Sequence, residues 1–175
     1  QAKCDSLIYT MSDSTIRFMN DPVLWSGQNQ LTADSINVVA SGGNLDSLIM
    51  FNSAFIISRD TLDSFNQIKG KNMTGYFVDN ELVKINVDGN AQTVYWIREE
   101  DGYLIGINFS EASTMAIRLS DNELQTINYK SNPIEKMFPQ KDIKKEDEKL
   151  KGFLWKQHLR PQDKYDIFIS PDNRE

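Results

Sequence analysis

The sequence predicts an all-β protein built from stacked repeats, and three observations support this prediction. Apolar and polar residues alternate in short segments such as Val83 to Val87, which is the period of a β-strand. Gly, Asn, Asp and Ser recur between these segments as turn residues. The letters DNEL at residues 79–82 return 42 residues later at residues 121–124. No segment with helical periodicity precedes about residue 140.

Each repeat is predicted to contain a strand, a tight turn, a returning strand and a corner. The turn is Asp79-Asn80 in one copy, Asp121-Asn122 in the next, and Gly42-Gly43 in a copy 37 residues upstream. These pairs tolerate the positive φ of two-residue hairpin turns. A weaker copy opens the chain, with a turn around Ser12-Asp13 and with Cys4, Ile8, Ile16 and Phe18 on its strands. The predicted corners are Asp21-Pro22, Ser53-Ala54, Asn90-Ala91 and Asn132-Pro133.

One parity of the repeated strands is apolar in every copy, which predicts two facing antiparallel sheets with this parity between them. A slip of one residue would exchange the two faces, so the agreement between copies fixes the register. In a closed sandwich this inward column is the core. If the sheets separate along one edge, the same column becomes a groove for acyl chains. The column consists of Ile36, Val38, Met50, Met73, Phe77, Val83, Ile85, Val87, Met115, Ile117, Leu119, Ile127 and Tyr129.

The composition changes near residue 135, which divides the chain into a stacked-repeat domain at residues 1–135 and a charged C-terminal segment at residues 136–175. We predict a short helix near Lys144 to Lys151. An apolar patch at residues 153–155 is expected to pack back onto the end of the sheet. The last residues, 170–175, are expected to fray.

Composition and charge exclude several classes of function. The net charge of −6 leaves no cationic excess to neutralise phosphates, so nucleic acid is not an expected partner. No apolar run approaches the length of a membrane span, and the first residues contain no apolar segment of the signal-peptide type.

The sequence also lacks the usual catalytic and metal-binding patterns, which argues against an enzyme. The single histidine, His158, lies in the charged C-terminal segment, away from any plausible nucleophile, and is expected to be a surface or packing residue. Cys4 falls in the inward apolar column, which predicts a buried, unreactive thiol. No zinc spacing, phosphate-binding loop or dinucleotide fingerprint occurs. We therefore predict no catalytic residues, no metal site and no cofactor.

Several longer segments resemble the OstA-like family of Bacteroidetes-type bacteria, which is similar to the periplasmic lipopolysaccharide-transport proteins. The resemblance covers roughly residues 4 to 165. Its motifs are structural repeat motifs, and none of them is catalytic. The segments that carry it are DPVLWSGQNQLTADSINV, QIKGKNMTGYF, VDGNAQTVYW and LKGFLWKQHLRP.

The resemblance implies a β-jellyroll, also called a β-taco, in which two antiparallel sheets form a V that is open along one side. It implies a periplasmic location and a non-enzymatic role in which acyl chains of lipopolysaccharide are shielded between the sheets. The implied partners are lipopolysaccharide or a related lipid, and other transport proteins or further copies of the chain that stack through edge strands. The alternative is a structural or glycan-binding β-repeat module of a cell-envelope protein with a closed, dry core.

Overall fold

The computed structural model describes residues 1–61, 63–120, 123–163 and 165–166, and these form an all-β structure. The strands are β1 Ala2–Lys3, β2 Ser6–Thr10, β3 Thr15–Met19, β4 Val23–Ser26, β5 Asn29–Thr32, β6 Ser35–Ser41, β7 Asn44–Phe51, β8 Ala54–Arg59, β9 Phe65–Gly70, β10 Asn72–Val78, β11 Glu81–Arg98, β12 Leu104–Ser120, β13 Glu123–Lys130 and β14 Ile134–Pro139. Two 3₁₀ helices follow, Gln140–Asp142 and Gln157–Leu159. No helix in the described residues is long and apolar enough to cross a lipid bilayer.

All strand pairs are antiparallel and belong to one continuous sheet that folds back on itself. Half-sheet I contains β2, β3, β6, β7, β10, the first part of β11, the last part of β12, and β13. Half-sheet II contains β1, β4, β5, β8, β9, the last part of β11, the first part of β12, and β14. Residues from both halves share one hydrophobic core, so the halves face each other. The predicted architecture of two facing antiparallel layers is confirmed.

The chain passes from one half-sheet to the other at a seam of repeated corners. Consecutive residues with positive φ form these corners, a conformation that Asn, Asp and Gly tolerate better than most residues. Backbone hydrogen bonds join neighbouring corners, from Lys71 N–H to Gly89 O at 2.7 Å and from Ser113 N–H to Ser131 O at 3.3 Å. The positive-φ pairs are Asn20-Asp21, Asn52-Ser53, Gly89-Asn90 and Ser131-Asn132. Each pair begins one residue before the corner that the sequence predicts and shares one residue with it.

The hairpin turns also follow the prediction. Gly42-Gly43 and Asp79-Asn80 are two-residue turns with positive φ at both positions, which matches the right-handed twist of the flanking strands. The corresponding turn at Asp121-Asn122 lies outside the described residues.

Each of these three hairpins carries a β-bulge shortly after its turn, which the sequence analysis did not predict. The register shifts leave Asp46, Val83 and Gln125 as the extra residues of the returning strands. As a result, Leu82 rather than Val83 lies opposite Phe77. Leu82 packs against the core, whereas Val83 does not belong to the core or to the residues packed on it. The predicted place of Val83 in the inward column is therefore wrong.

The C-terminal part differs from the prediction in three ways. Strand β14 extends the sheet to Pro139, beyond the predicted boundary at residue 135. The expected helix near Lys144 to Lys151 is absent, and this stretch contains a turn closed by a hydrogen bond from Asp147 N–H to Lys144 O. The residues 170–175, which were expected to fray, lie outside the described residues.

Residues 143–161, here called the strap, cross the outer face of half-sheet II. Ile143, Leu150, Phe153 and Trp155 pack on this face. The predicted packing of residues 153–155 on the sheet end is therefore corrected to a sheet face, and Leu154 between them is exposed. The sheet residues beneath the strap are Phe55, Ile57, Phe65, Val94, Trp96 and Ile107, with Leu104 and Phe109 at the margin.

Two buried glutamines fasten the strap backbone. Gln67 donates to Glu148 O at 2.7 Å and accepts from Leu150 N–H at 2.8 Å. Gln30 donates to Leu154 O at 2.8 Å and accepts from Lys156 N–H at 2.6 Å. Because these backbone groups bond to side chains of the sheet, they are not available for a helical ladder. This explains why the strap is not the predicted helix.

Candidate functional site

The inner surface of half-sheet I is organised in rows that run across the strands. The first row, nearest the seam, joins residues that lie directly opposite one another on successive strands: Phe18, Ile36, Met50, Met73, Val87, Met115 and Tyr129. The second row contains Ile16, Val38, Leu48, Gly75, Ile85, Ile117 and Ile127. Every side chain in the two rows is apolar or aromatic. Half-sheet I thus presents a continuous apolar wall.

Exposure along this wall increases with distance from the seam. Ile36 and Val87 in the first row are 0% exposed, and Ile85 in the second row is 3% exposed. Beyond the second row, Leu82 and Leu124 after the bulges are only partly buried. The space between the halves is therefore sealed near the seam and partly open at its mouth, which is the form of a wedge-shaped groove.

Small residues allow the two halves to approach closely at the seam. Ala54 lies opposite Gly70, and Ala91 lies opposite Ala112. A Cβ added at Gly70 would come within 2.4 Å of the Val87 side chain of the facing half. These short side chains therefore set how closely the two half-sheets approach each other at the seam.

The inner surface of half-sheet II is apolar only in part. One row joins Leu24, Leu31, Ile56, Ile68, Thr93 and Ser110 as directly opposed residues, and its first four members pack against the core. The next inward row toward the mouth is polar apart from one tyrosine and contains Ser26, Asn29, Ser58, Asn66, Tyr95 and Asn108. The groove therefore has one apolar wall and one wall with a polar rim, an arrangement that suits an amphipathic molecule.

A hydroxyl-rich cluster lies near the end of the groove that is formed by β11, β12 and β13. Ser110 Oγ donates to Asn108 Oδ1 at 2.8 Å and lies 2.9 Å from the Tyr129 hydroxyl of the facing half. Thr93, opposite Ser110, is 2% exposed, and its hydroxyl has no hydrogen-bond partner among the described residues. An unpaired buried hydroxyl costs about 1–3 kcal/mol, so this orphaned group requires an explanation.

The structure brings most of the predicted column together. Ile36, Met50, Met73, Ile85, Val87, Met115 and Ile117 form the buried core between the halves, and Val38, Leu119, Ile127 and Tyr129 pack against it. Phe77 lies on the same parity, opposite Leu82, but is only partly buried and is not among the residues packed on the core. In the first hairpin, Leu7 and Tyr9 pair with the inward residues Phe18 and Ile16, so Ile8 is on the other parity.

The sequence pattern did not reveal the opposing wall. Ile56 and Ile68 line the groove, but their neighbours Phe55 and Ile57 are apolar as well, because the strap covers the outer face. With both parities apolar, alternation could not indicate which side faces inward. Leu82 and Leu124 were missed because the bulges shift the register by one residue.

The remaining candidate residues have surroundings that fit structural roles. Burial raises the pKa of the Cys4 thiol, which packs partly buried against the core, and this opposes formation of the reactive thiolate. His158 is exposed in the second 3₁₀ helix. The described residues contain no group of three or more His, Cys, Asp or Glu side chains that could hold a metal ion.

Comparisons with known proteins identify the fold. The sequence matches no family model and no curated protein. The structure is similar to the crystal structure of LptH from Pseudomonas aeruginosa, the LptA homologous periplasmic component of the conserved lipopolysaccharide transport device. The TM-score is 0.58 at 14% sequence identity, and the match covers 80% of this chain and 94% of LptH. The β-jellyroll predicted from the sequence resemblance is therefore confirmed, and this chain has the fold of a periplasmic lipopolysaccharide-transport component.

Proposed function

We propose that this chain is a non-enzymatic periplasmic module that shields the acyl chains of lipopolysaccharide, or of a related lipid, between its two half-sheets on the way to the outer membrane. The observation that carries the proposal is the apolar wall of half-sheet I, which runs without a polar interruption from β3 to β13. Apolar side chains alone would be expected in the closed core of any sandwich. A wall whose exposure grows toward an open mouth also offers apolar surface to a ligand.

The fold supports the same function. LptH is a component of a lipopolysaccharide transport device, and the two chains share the folded sheet over most of their length. The groove of this chain carries an apolar wall opposite a polar rim, which matches the two kinds of surface on an amphipathic lipid. Substantial burial of the first row means that a lipid enters by separating the half-sheets at the mouth while the seam holds them together.

Photo-crosslinking tests the proposal with matched neighbours on one strand. A benzophenone amino acid is placed at Ile127, which faces the groove, and at Thr126, which faces outward beside Arg118. The same comparison is made at Leu119 and Arg118. After incubation of the purified chain with lipopolysaccharide and illumination, we expect lipid adducts at Ile127 and Leu119 but not at Thr126 and Arg118. Equal labelling of both parities, or no labelling, would favour the alternative module with a dry core.

Partners of the edge strands form the second part of the proposal. The folded sheet has edge strands at both ends. These are β1 and β2 at one end and β13 and β14 at the other. Each of them pairs with one strand. Leu7, Ile8 and Tyr9 on β2 are about half exposed, as are Ile134 and Met137 on β14. Unpaired apolar edges add strands from another chain, so we infer stacking with a second copy or with other transport proteins.

Sedimentation measurements test self-stacking. The chain is expected to sediment as larger species at higher concentration, and Ile8→Lys on the edge of β2 is expected to reduce this dependence. Leu154→Lys, at an exposed strap position away from the edges, is the control. A monomer at all concentrations would leave other transport proteins as the partners.

A further inference from the structure

We propose that Thr93, Ser110 and Tyr129 form a site that binds a hydroxyl group carried on an acyl chain, which rests on the proposed lipid-binding function and specifies its ligand. Near one end of the groove, Thr93 of β11 lies directly opposite Ser110 of β12. Tyr129 reaches Ser110 from the facing half-sheet. All three positions face the space between the halves.

The directions of the hydrogen bonds show what this site lacks. Ser110 has one hydroxyl proton and donates it to Asn108 Oδ1, so the contact with Tyr129 must use the tyrosine proton. The Tyr129 oxygen then has lone pairs that accept nothing among the described residues. Thr93, 2% exposed, keeps both its proton and its lone pairs unpaired. A ligand hydroxyl between Thr93 and Tyr129 accepts from the first and donates to the second.

The charges around the cluster select a neutral hydroxyl over a phosphate. Thr93, Ser110 and Tyr129 are neutral, and Asn108 Nδ2 donates to the carboxylate of Glu135 at 2.7 Å. No Lys or Arg side chain is among the hydrogen-bond partners of the cluster in the described residues. A phosphate would be buried without a countercharge and would lie near a carboxylate, which is unfavourable on both counts.

The position of the cluster selects an acyl chain as the carrier of that hydroxyl. The first row of half-sheet I ends at Tyr129, and the facing row of half-sheet II runs through Thr93 and Ser110 to Glu135 of β14. A chain that lies along these rows is in apolar contact until it reaches the cluster. Tyr129 is partly exposed, whereas Ser110 is 0% exposed. Displacement of the Tyr129 ring therefore opens the site.

Binding of tetradecanoic acid and its 2-, 3- and 12-hydroxy derivatives to the full chain tests the proposal. Affinities are measured by calorimetry for the wild type, Thr93→Val, Tyr129→Phe and the outward control Thr126→Val. We expect at least one hydroxy derivative to bind about 3- to 10-fold more tightly than tetradecanoic acid, the ratio that one net hydrogen bond supplies. Thr93→Val and Tyr129→Phe should reduce the ratio to about one, whereas the outward control Thr126→Val should leave the ratio unchanged.

Thr93→Val is close to isosteric and removes an unpaired buried hydroxyl, so its melting temperature should equal or exceed that of the wild type, and Thr93→Ser should restore the preference. Equal affinities of the wild type for all four acids would overturn the hydroxyl site and leave the lipid-binding function standing. The same preference in the wild type and in both variants would also overturn the site. Failure of all four acids to bind would contradict both the site and the proposed function.

Discussion

The side-chain oxygen of Gln67 accepts a 2.8 Å hydrogen bond from the backbone N–H of Leu150, which lies 83 residues later in the chain. The same amide donates to Glu148 O, so Gln67 binds the strap as a neighbouring strand would, with one donor and one acceptor. Gln30 repeats this arrangement with Leu154 and Lys156. Two buried glutamines thus attach residues 148–156 of the strap, which form neither helix nor strand, to the back of the groove.

Gln67→Leu is expected to detach the middle of the strap. It leaves Glu148 O and Leu150 N–H without their partner, at a cost of about 1–3 kcal/mol for each buried group. Urea unfolding should show this loss, and amide exchange at Leu150 should accelerate. Gln92→Leu on β11, which breaks a 3.2 Å side-chain bond to Glu111, is the control and should cost about 0.5–1.5 kcal/mol. Equal losses in both variants would mean that the Gln67 contacts do not anchor the strap.

Trp155→Ala is expected to destabilise the protein far more than Leu154→Ala, although the two residues are adjacent. The Trp155 ring lies 5.2 Å from the Phe65 ring, and the Arg59 guanidinium is 5.1 Å from its centre. Truncation of such a packed indole costs up to about 3 kcal/mol, whereas a change at the exposed Leu154 should stay within about 0.5 kcal/mol. Thermal unfolding of both variants checks this contrast. A similar melting temperature for the two would argue against the strap as part of the core.

Gly106→Ala is expected to disturb the pairing of β12 with β14. An added Cβ would lie 2.3 Å from the backbone oxygen of Phe138, and a backbone atom in a ladder cannot move away cheaply. We expect a loss of about 1–3 kcal/mol in the free energy of unfolding. At Gly75 the nearest atom is the flexible end of Leu82 at 3.1 Å, so Gly75→Ala should cost less. A larger loss at Gly75 than at Gly106 would contradict this order.

The Cys4 thiol is expected to react slowly with a disulfide reagent in the folded protein. Desolvation raises its pKa, so less thiolate is present at pH 8 than in the urea-unfolded chain. Because the folded pKa is the higher one, the associated stabilisation is complete below the unfolded pKa and is lost as pH rises through the folded pKa. Reaction rates between pH 7 and 10, for folded and unfolded protein, test this. Equal rates in the two states at pH 8 would show that the thiol is not shielded.

The sequence predicted the hairpins of half-sheet I closely, because each of them depends on local rules. Positive-φ pairs such as Gly42-Gly43 fix the turn, and alternation fixes the face, so Ile36, Met50, Ile85 and Ile117 were placed correctly. The bulges could not be predicted, because an extra residue in a returning strand preserves the local composition. Because of this one extra residue, Leu82 rather than Val83 takes the inward position opposite Phe77.

The sequence by itself determined the strand repeat, the turns, the corners and the apolar wall of half-sheet I, since these follow from short-range conformational preference and the two-residue period. Tertiary structure decided what lies on each face of half-sheet II. The strap buries its outer face through Gln30 and Gln67, contacts between residues more than 80 positions apart. Only the folding of one half over the other brings Tyr129 to Ser110 and leaves Thr93 unpaired. Such contacts join distant parts of the chain, and no local pattern encodes them.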